Sequence, residues 1–218
     1  MRILLATFSR SGHTAALGDC LAARLRAAGH TVDCETIRPL TRPNKWRLVP
    51  PLLPALPVLP LILGWRAFRA WWLRHYHQPQ QDIAPLAYPD ASAYDRVLIG
   101  GPKWLYLAYP VARYLQQLQG LDGRTVGVFA TFCGPPLEAF EKELLFVPYA
   151  QCLGARGARL ASCLSVSSGY HEFFFLHEME WLFRGLSRLC FGRPLSSFGA
   201  DSPWAEQEIG RFLRELGA

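Results

Sequence analysis

Residues Ser9-Arg10-Ser11-Gly12-His13-Thr14 place three hydroxyls and a glycine within six positions near the start of the chain. They follow an apolar run, Ile3-Leu4-Leu5-Ala6, and precede Ala15 to Ala28, which reads as a helix. A hydroxyl-rich turn between a strand and a helix is suited to holding a phosphate. The helix start supplies unpaired backbone N–H groups and the positive end of the helix dipole. Ser9, Ser11 and Thr14 add hydroxyl donors, and Gly12 lets the backbone approach a ligand closely. No lysine is needed. The same residue types also suit an ordinary capped turn, so the reading draws on the rest of the chain.

Two further clusters follow apolar runs. Arg96-Val97-Leu98-Ile99-Gly100 leads into Gly101-Pro102-Lys103-Trp104-Leu105-Tyr106, and Thr125 to Thr131 leads into Phe132-Cys133-Gly134. The elements that position these clusters alternate. Strands are expected over Arg2 to Phe8, Thr31 to Ile37, Arg96 to Gly100, Thr125 to Thr131 and Arg159 to Val166. Helices are expected over Ala15 to Ala28, Tyr109 to Leu118, Pro136 to about Leu153 and Ala205 to Leu216. Gly29 ends the first helix, Pro148 kinks the third, and Ser202-Pro203 starts the last. Alternation of this kind predicts a parallel sheet with helices on both faces. Ligands then sit beyond the carboxyl ends of the strands, where loops 9–14, 101–108 and 131–136 converge.

On these residues the chain resembles the flavodoxin-like FMN-binding proteins. The match rests on the hydroxyl-x-x-Gly-x-Thr core (Ser9, Gly12, Thr14), on Gly100-Gly101-Pro102-Lys103-Trp104 and on Thr131-Phe132-Cys133-Gly134. It extends over residues 1–38, 92–166 and the last helix. Thr7 stands where the family usually has an aromatic residue, and Gly18 where it usually has alanine.

The resemblance implies a five-stranded parallel sheet and FMN as cofactor. The phosphate would be held by Ser9, Ser11, Gly12, His13 and Thr14. The flavin ring would be flanked by Pro102, Lys103, Trp104, Leu105 and Tyr106 on one side and by Thr131, Phe132, Cys133 and Gly134 on the other. Trp104 and Tyr106 would offer flat apolar faces to the ring, with core packing as the alternative for Trp104. Backbone N–H groups from Thr131 to Gly134 would stabilise negative charge on the reduced flavin. Cys133 reads as a small spacer, since no partner cysteine is adjacent. His13 and Tyr106 are the candidates for proton delivery, and His13 also reads as a phosphate neighbour.

About fifty residues, 39–91, separate strand two from strand three, which is long for a connection. Leu48 to Trp65 carries no charge, but Pro50, Pro51, Pro54, Pro57 and Pro60 break a regular helix through most of it, which argues against a membrane span. Gly64 to His77 reads as a helix with Trp65, Phe68, Trp72 and Tyr76 on one stripe. Arg69 lies near that stripe, where its long stem could snorkel.

Charge is concentrated in this same region. The chain carries 23 Lys and Arg against 17 Asp and Glu, a net +6. Between Glu35 and Asp82 there is no acidic residue, yet Arg38, Arg42, Lys45, Arg47, Arg66, Arg69 and Arg74 all lie there. The rest of the chain is therefore close to neutral. Aromatic and basic residues beside an apolar run predict contact of 39–77 with an anionic membrane surface, on the inner face of the membrane. A lid or a homodimer contact is the alternative.

A second aromatic stretch, Tyr170 to Phe191, lies in an excursion over 167–200 before the last helix. Its His171, His177, Glu172, Glu178 and Glu180 read as a solvated face, since HExxH is absent, and no metal is expected. Six cysteines show neither CxxC nor zinc spacing, which fits free thiols in a reducing, cytoplasmic setting. The aromatic additions also give an architectural likeness to the menaquinone-dependent protoporphyrinogen dehydrogenases.

The function expected is an FMN-dependent oxidoreductase acting on a quinone or another lipophilic molecule. A flavodoxin-type carrier with a redox partner protein is the second reading. Such carriers are usually acidic, and the net charge here counts against that docking mode. A flavin-free scaffold is the third. Nucleic acid is not expected, because the basic segment is too apolar and proline-broken to track a phosphate backbone.

Overall fold

The structure is a computed structural model that describes residues 1–41, 58–75, 80–103, 107–132, 145–167, 188–189 and 203–217. Five strands, β1 (Arg2–Thr7), β2 (Thr31–Thr36), β3 (Arg96–Pro102), β4 (Thr125–Phe132) and β5 (Arg159–Ser167), form one sheet in the order β2-β1-β3-β4-β5. Every pairing is parallel. The expected α/β class and all five expected strands are present, with ends shifted by one or two residues.

Strands buried on both faces read as near-continuous apolar runs, and the sheet divides them by alternation. Leu4 and Ala6 of β1, Val97 and Ile99 of β3, and Val126 and Val128 of β4 face one side. There they meet α4 (Tyr109–Gln117) through Val111 and Leu115, and α5 (Val147–Gly154) through Tyr149 and Leu153. Ile3, Leu5, Leu98, Phe129 and Leu164 face the other side. They pack on α1 (His13–Ala27) through Leu17, Leu21 and Leu25, and on α6 (Pro203–Glu215) through Ile209 and Phe212.

The glycines of β3 and β4 are sites of close approach. A Cβ on Gly100 would lie 2.1 Å from the Phe129 ring of its register partner. One on Gly127 would lie 2.8 Å from Leu216. The Gly100-Gly101 pair is therefore set at least partly by core packing.

The helix expected over Pro136 to about Leu153 is described from Leu145 on: a π turn at Leu145 and Phe146 runs directly into α5, with Pro148 in its first turn. Residues 136–144 of that expected helix lie outside the described residues. Pro60, expected to break helical structure, stands in the first turn of a short helix, α2 (Leu59–Gly64).

The expected helix from Gly64 to His77 likewise changes. Gly64 ends α2, Trp65 turns the chain with φ −117° and ψ 101°, and α3 (Arg66–His75) follows. Arg69 is buried rather than snorkelling, and its Nη1 donates to the Ile62 carbonyl at 2.8 Å. That carbonyl is among the last of α2, which have no partner inside their own helix. Ile62 is the centre of a small local core with Val58, Phe68, Trp72 and Leu73 around it.

The excursion between β2 and β3 leaves and rejoins the domain at one place. Leu40 N–H donates to Asp82 O at 2.9 Å, Ala84 N–H to Arg38 O at 2.7 Å, and Gln81 Nε2 to Thr41 O at 2.6 Å. Pro39 and Ile83 form an antiparallel bridge. Ile83, Ala91 and Tyr94 already belong to the main core, so residues 83–94 are part of the domain.

Candidate functional site

The carboxyl ends of β1, β3 and β4 bring the described parts of the three sequence clusters, residues 9–14, 101–103 and 131–132, to one edge of the sheet. The Phe8 N–H donates to Gly100 O at 2.9 Å, and the Lys103 N–H to Thr131 O at 2.9 Å. Ladder pairing runs as far as Thr7 beside Gly100 and Pro102 beside Thr131. The loops after the three strands therefore start from neighbouring points on one edge of the sheet.

The first loop turns at Gly12, whose φ of 98° and ψ of −24° put it in the left-handed region. An L side chain is strained there, although an added Cβ would meet nothing within 4 Å. Gly12 is also the N-cap of α1. No side chain caps that helix, and its first turn holds no acidic residue. Glycine at the N-cap thus replaces the carboxylate or hydroxyl residue usual there. Ser9 Oγ accepts the Gly12 N–H at 3.1 Å and so sets the curvature of the loop. Ser11, Gly12 and His13 are exposed on the same turn.

Thr14 is oriented inward. It is buried, and its Oγ1 lies 2.7 Å from Oγ1 of Thr131, which is also buried. This hydroxyl pair ties the start of α1 to the end of β4 across the carboxyl edge of the sheet. Either hydroxyl can donate, and each retains two further hydrogen-bonding sites. Nothing in the sequence paired residues 117 positions apart.

The second and third loops meet through Lys103 and Phe132. The Lys103 Nζ stands 5.2 Å from the Phe132 ring centroid, a cation–π contact that holds a positive charge beside the sheet edge. Pro102 is half-buried at the end of β3. Trp104, Leu105, Tyr106, Cys133 and Gly134 lie outside the described residues, as do His171, Glu172, His177, Glu178 and Glu180.

The buried phenols and thiols near the sheet are poor acids. Burial pushes the hydroxyl of Tyr149 far above its ordinary range, and burial also raises Tyr114. The Cys163 thiol is pushed up to about 12, chiefly by burial, and Cys152 is raised for the same reason. Burial thus disfavours the thiolate form of both cysteines. Among the described residues no group of His, Cys, Asp and Glu could hold a metal ion.

The two departures from the family pattern touch each other. A Cβ on Gly18 of α1 would lie 2.8 Å from Thr7 Oγ1. That hydroxyl is buried without a hydrogen-bond partner among the described residues.

No family model matches the chain, and no curated protein matches it in sequence. Solved structures do. The chain is similar to oxidised flavodoxin 2 from Bacillus cereus, with 16% identity and a TM-score of 0.52 over 100% of this chain and 98% of that one. A flavodoxin from Pseudomonas aeruginosa matches at 12% identity and a TM-score of 0.48, covering 100% of both chains. A flavoprotein from Lactobacillus acidophilus NCFM, solved in complex with FMN, matches at 18% identity and a TM-score of 0.46, covering 75% of this chain and 92% of that one. With five parallel strands in the order β2-β1-β3-β4-β5 between two helical layers, and with its overlay on flavodoxin 2, the chain has a flavodoxin-like fold.

Proposed function

We propose that the chain binds FMN and transfers electrons through it, with a quinone or another lipophilic molecule as acceptor. One observation carries the reading. Helix α1 begins at a left-handed glycine, which has no side chain to cap it, and has no first-turn acid, beside the carboxyl ends of β3 and β4. A helix start of this kind favours an external anion over an internal cap. The residues fit a phosphate-bearing cofactor in this respect.

FMN, when bound, supplies reversible electron and hydride chemistry, and the protein positions and tunes it. Ser9 shapes the loop by accepting the Gly12 N–H. Ser11 and His13 stand exposed on the turn and would contact the phosphate. Thr14 and Thr131 fix the helix start against the strand end. The Lys103 ammonium places positive charge on the ring side of the site, where it would favour an anionic reduced cofactor. Trp104, Tyr106 and the backbone from Thr131 to Gly134 would complete the proposed ring site. The flavodoxin-like fold supports this reading, because its ligand crevice lies at the carboxyl ends of the strands.

The test is an absorbance spectrum of the protein purified in mild detergent, with the released cofactor identified. Oxidised-flavin bands and FMN in the supernatant are expected. Gly12→Val, which forces a branched side chain to positive φ, is expected to weaken FMN binding by more than about tenfold. A colourless protein that also fails to bind added FMN overturns the reading. Turnover of a soluble quinone analogue then separates an oxidoreductase from a carrier that is only reversibly reduced.

A further inference from the structure

We infer that the α2–α3 hairpin docks on the surface of an anionic lipid bilayer through Trp65, Trp71, Arg66 and Arg74. The inference is independent of the flavin reading, since it concerns another part of the chain and its test needs no cofactor.

The hairpin is built to hold large apolar groups in water. Ile62 is completely buried against Val58, Phe68, Trp72 and Leu73, and Arg69 locks the two helices through the Ile62 carbonyl. Yet Trp65 is 58% exposed, Trp71 51% and Leu61 44%. The indoles are held in a row of rings. Trp65 and Phe68 are 6.1 Å apart between centroids, Phe68 and Trp71 5.6 Å, and Trp71 and His75 4.9 Å. His75 Nδ1 also lies 2.8 Å from the Trp71 carbonyl. Trp71 lies off the stripe expected from sequence through Trp65, Phe68, Trp72 and Tyr76; of these Phe68 and Trp72 pack against Ile62, Trp65 is exposed, and Tyr76 lies outside the described residues.

Ala67, Ala70, Trp71 and Arg74 recur at helical spacing, and all four are exposed. Arg66 is exposed as well. The exposed side of α3 therefore presents Trp71 and Arg74 among small residues, with Arg66 beside them. Indoles settle at headgroup depth, where the ring is apolar and the N–H is wet. Arginine binds phosphate oxygens with paired donors.

Charge selects the occupant. No carboxylate lies between Glu35 and Asp82, so a second copy docking through this face would bring arginines against arginines. An anionic bilayer complements both the charge and the apolar area. The contact is peripheral in geometry, because no helix among the described residues is long and apolar enough to cross a membrane.

Vesicle flotation of the full chain tests the inference, using phosphatidylglycerol-containing vesicles against pure phosphatidylcholine. The chain is expected to float with the anionic vesicles and to be released as salt rises. Arg66→Gln with Arg74→Gln is expected to cost about fivefold in partitioning per arginine on anionic vesicles only. Trp65→Ser with Trp71→Ser is expected to cost on the order of tenfold or more on anionic vesicles. Far-UV circular dichroism of each variant checks that these exposed substitutions leave the fold intact. Absence of flotation overturns the inference, as does flotation that neither pair of substitutions changes. A dimer in sedimentation equilibrium that Trp65→Ser with Trp71→Ser dissolves without lipid also overturns it, assigning the face to a second copy.

Discussion

The Thr14–Thr131 hydroxyl pair shows how a residue legible for one reason acquires a second role. Thr14 stood out as a donor in a hydroxyl-rich turn, and Thr131 as the start of a loop after an apolar run. The structure buries both and joins them at 2.7 Å. Removing one hydroxyl leaves the other buried without this partner, which costs about 1–3 kcal/mol, whereas replacing both with apolar groups of like shape is nearly neutral. Thr14→Val and Thr131→Val alone are each expected to lower stability by that amount. The double variant is expected to be clearly less destabilised than the sum. Urea unfolding of the four proteins measures the coupling, and additivity of the single costs would show that the tie contributes nothing. FMN affinity across the same set reports whether the tie also positions the loop.

Between elements, the packing of α1 on β1 explains why Thr7 and Gly18 depart together. Alanine in a helix interior is worth about 1 kcal/mol over glycine, so Gly18 is costly unless space demands it. The space does demand it, since a Cβ there would stand 2.8 Å from Thr7 Oγ1, on a short branched side chain with no far end to swing away. Overpacking of this kind costs about 1–3 kcal/mol, enough to cancel or exceed the helical gain. Gly18→Ala alone is expected to be neutral to destabilising. In a Thr7→Ala background the same substitution is expected to stabilise by about 1 kcal/mol. Thermal unfolding decides it, and a stabilising Gly18→Ala with Thr7 in place would sink the account.

Sequence periodicity placed α1 and β1 but could not set the distance between them. A proline carries the same lesson. Pro60 reads as a breaker in the sequence, yet it sits in the first turn of α2, where a missing N–H is harmless. Only the turn in which a proline falls decides between the two roles.

For the molecule as a whole, the clamp between 38–41 and 81–84 brings the two ends of the excursion together. Its ends are joined by backbone bonds at Leu40–Asp82 and Arg38–Ala84 and by the Gln81 side chain on Thr41. Replacing residues 42–79 with a short Gly-Ser linker shortens a loop whose ends already meet, and loop closure depends only weakly on length. The shortened protein is expected to keep its stability within about 1 kcal/mol and to retain FMN binding, while losing flotation with anionic vesicles. Equilibrium unfolding and vesicle flotation report the two halves of this expectation separately. A shortened chain that no longer unfolds cooperatively would show that the excursion supports the core.

The sequence by itself determined the class of fold, the five strands and the three loops that start beside one another. Alternation of buried strands with amphipathic helices admits few other architectures. It also determined where charge concentrates, because charge is a property of composition. Tertiary structure alone decided which residues touch: Thr14 with Thr131, Gly18 with Thr7, Phe129 over Gly100, and Arg69 on the Ile62 carbonyl. Arg69 and Trp71 differ least in sequence terms from their neighbours and most in outcome, one buried as a clamp and the other exposed at the surface. Helical spacing assigns residues to sides of a helix. Which side is covered depends on the partner helix packed against it, and here that partner is α2, placed by the turn at Trp65.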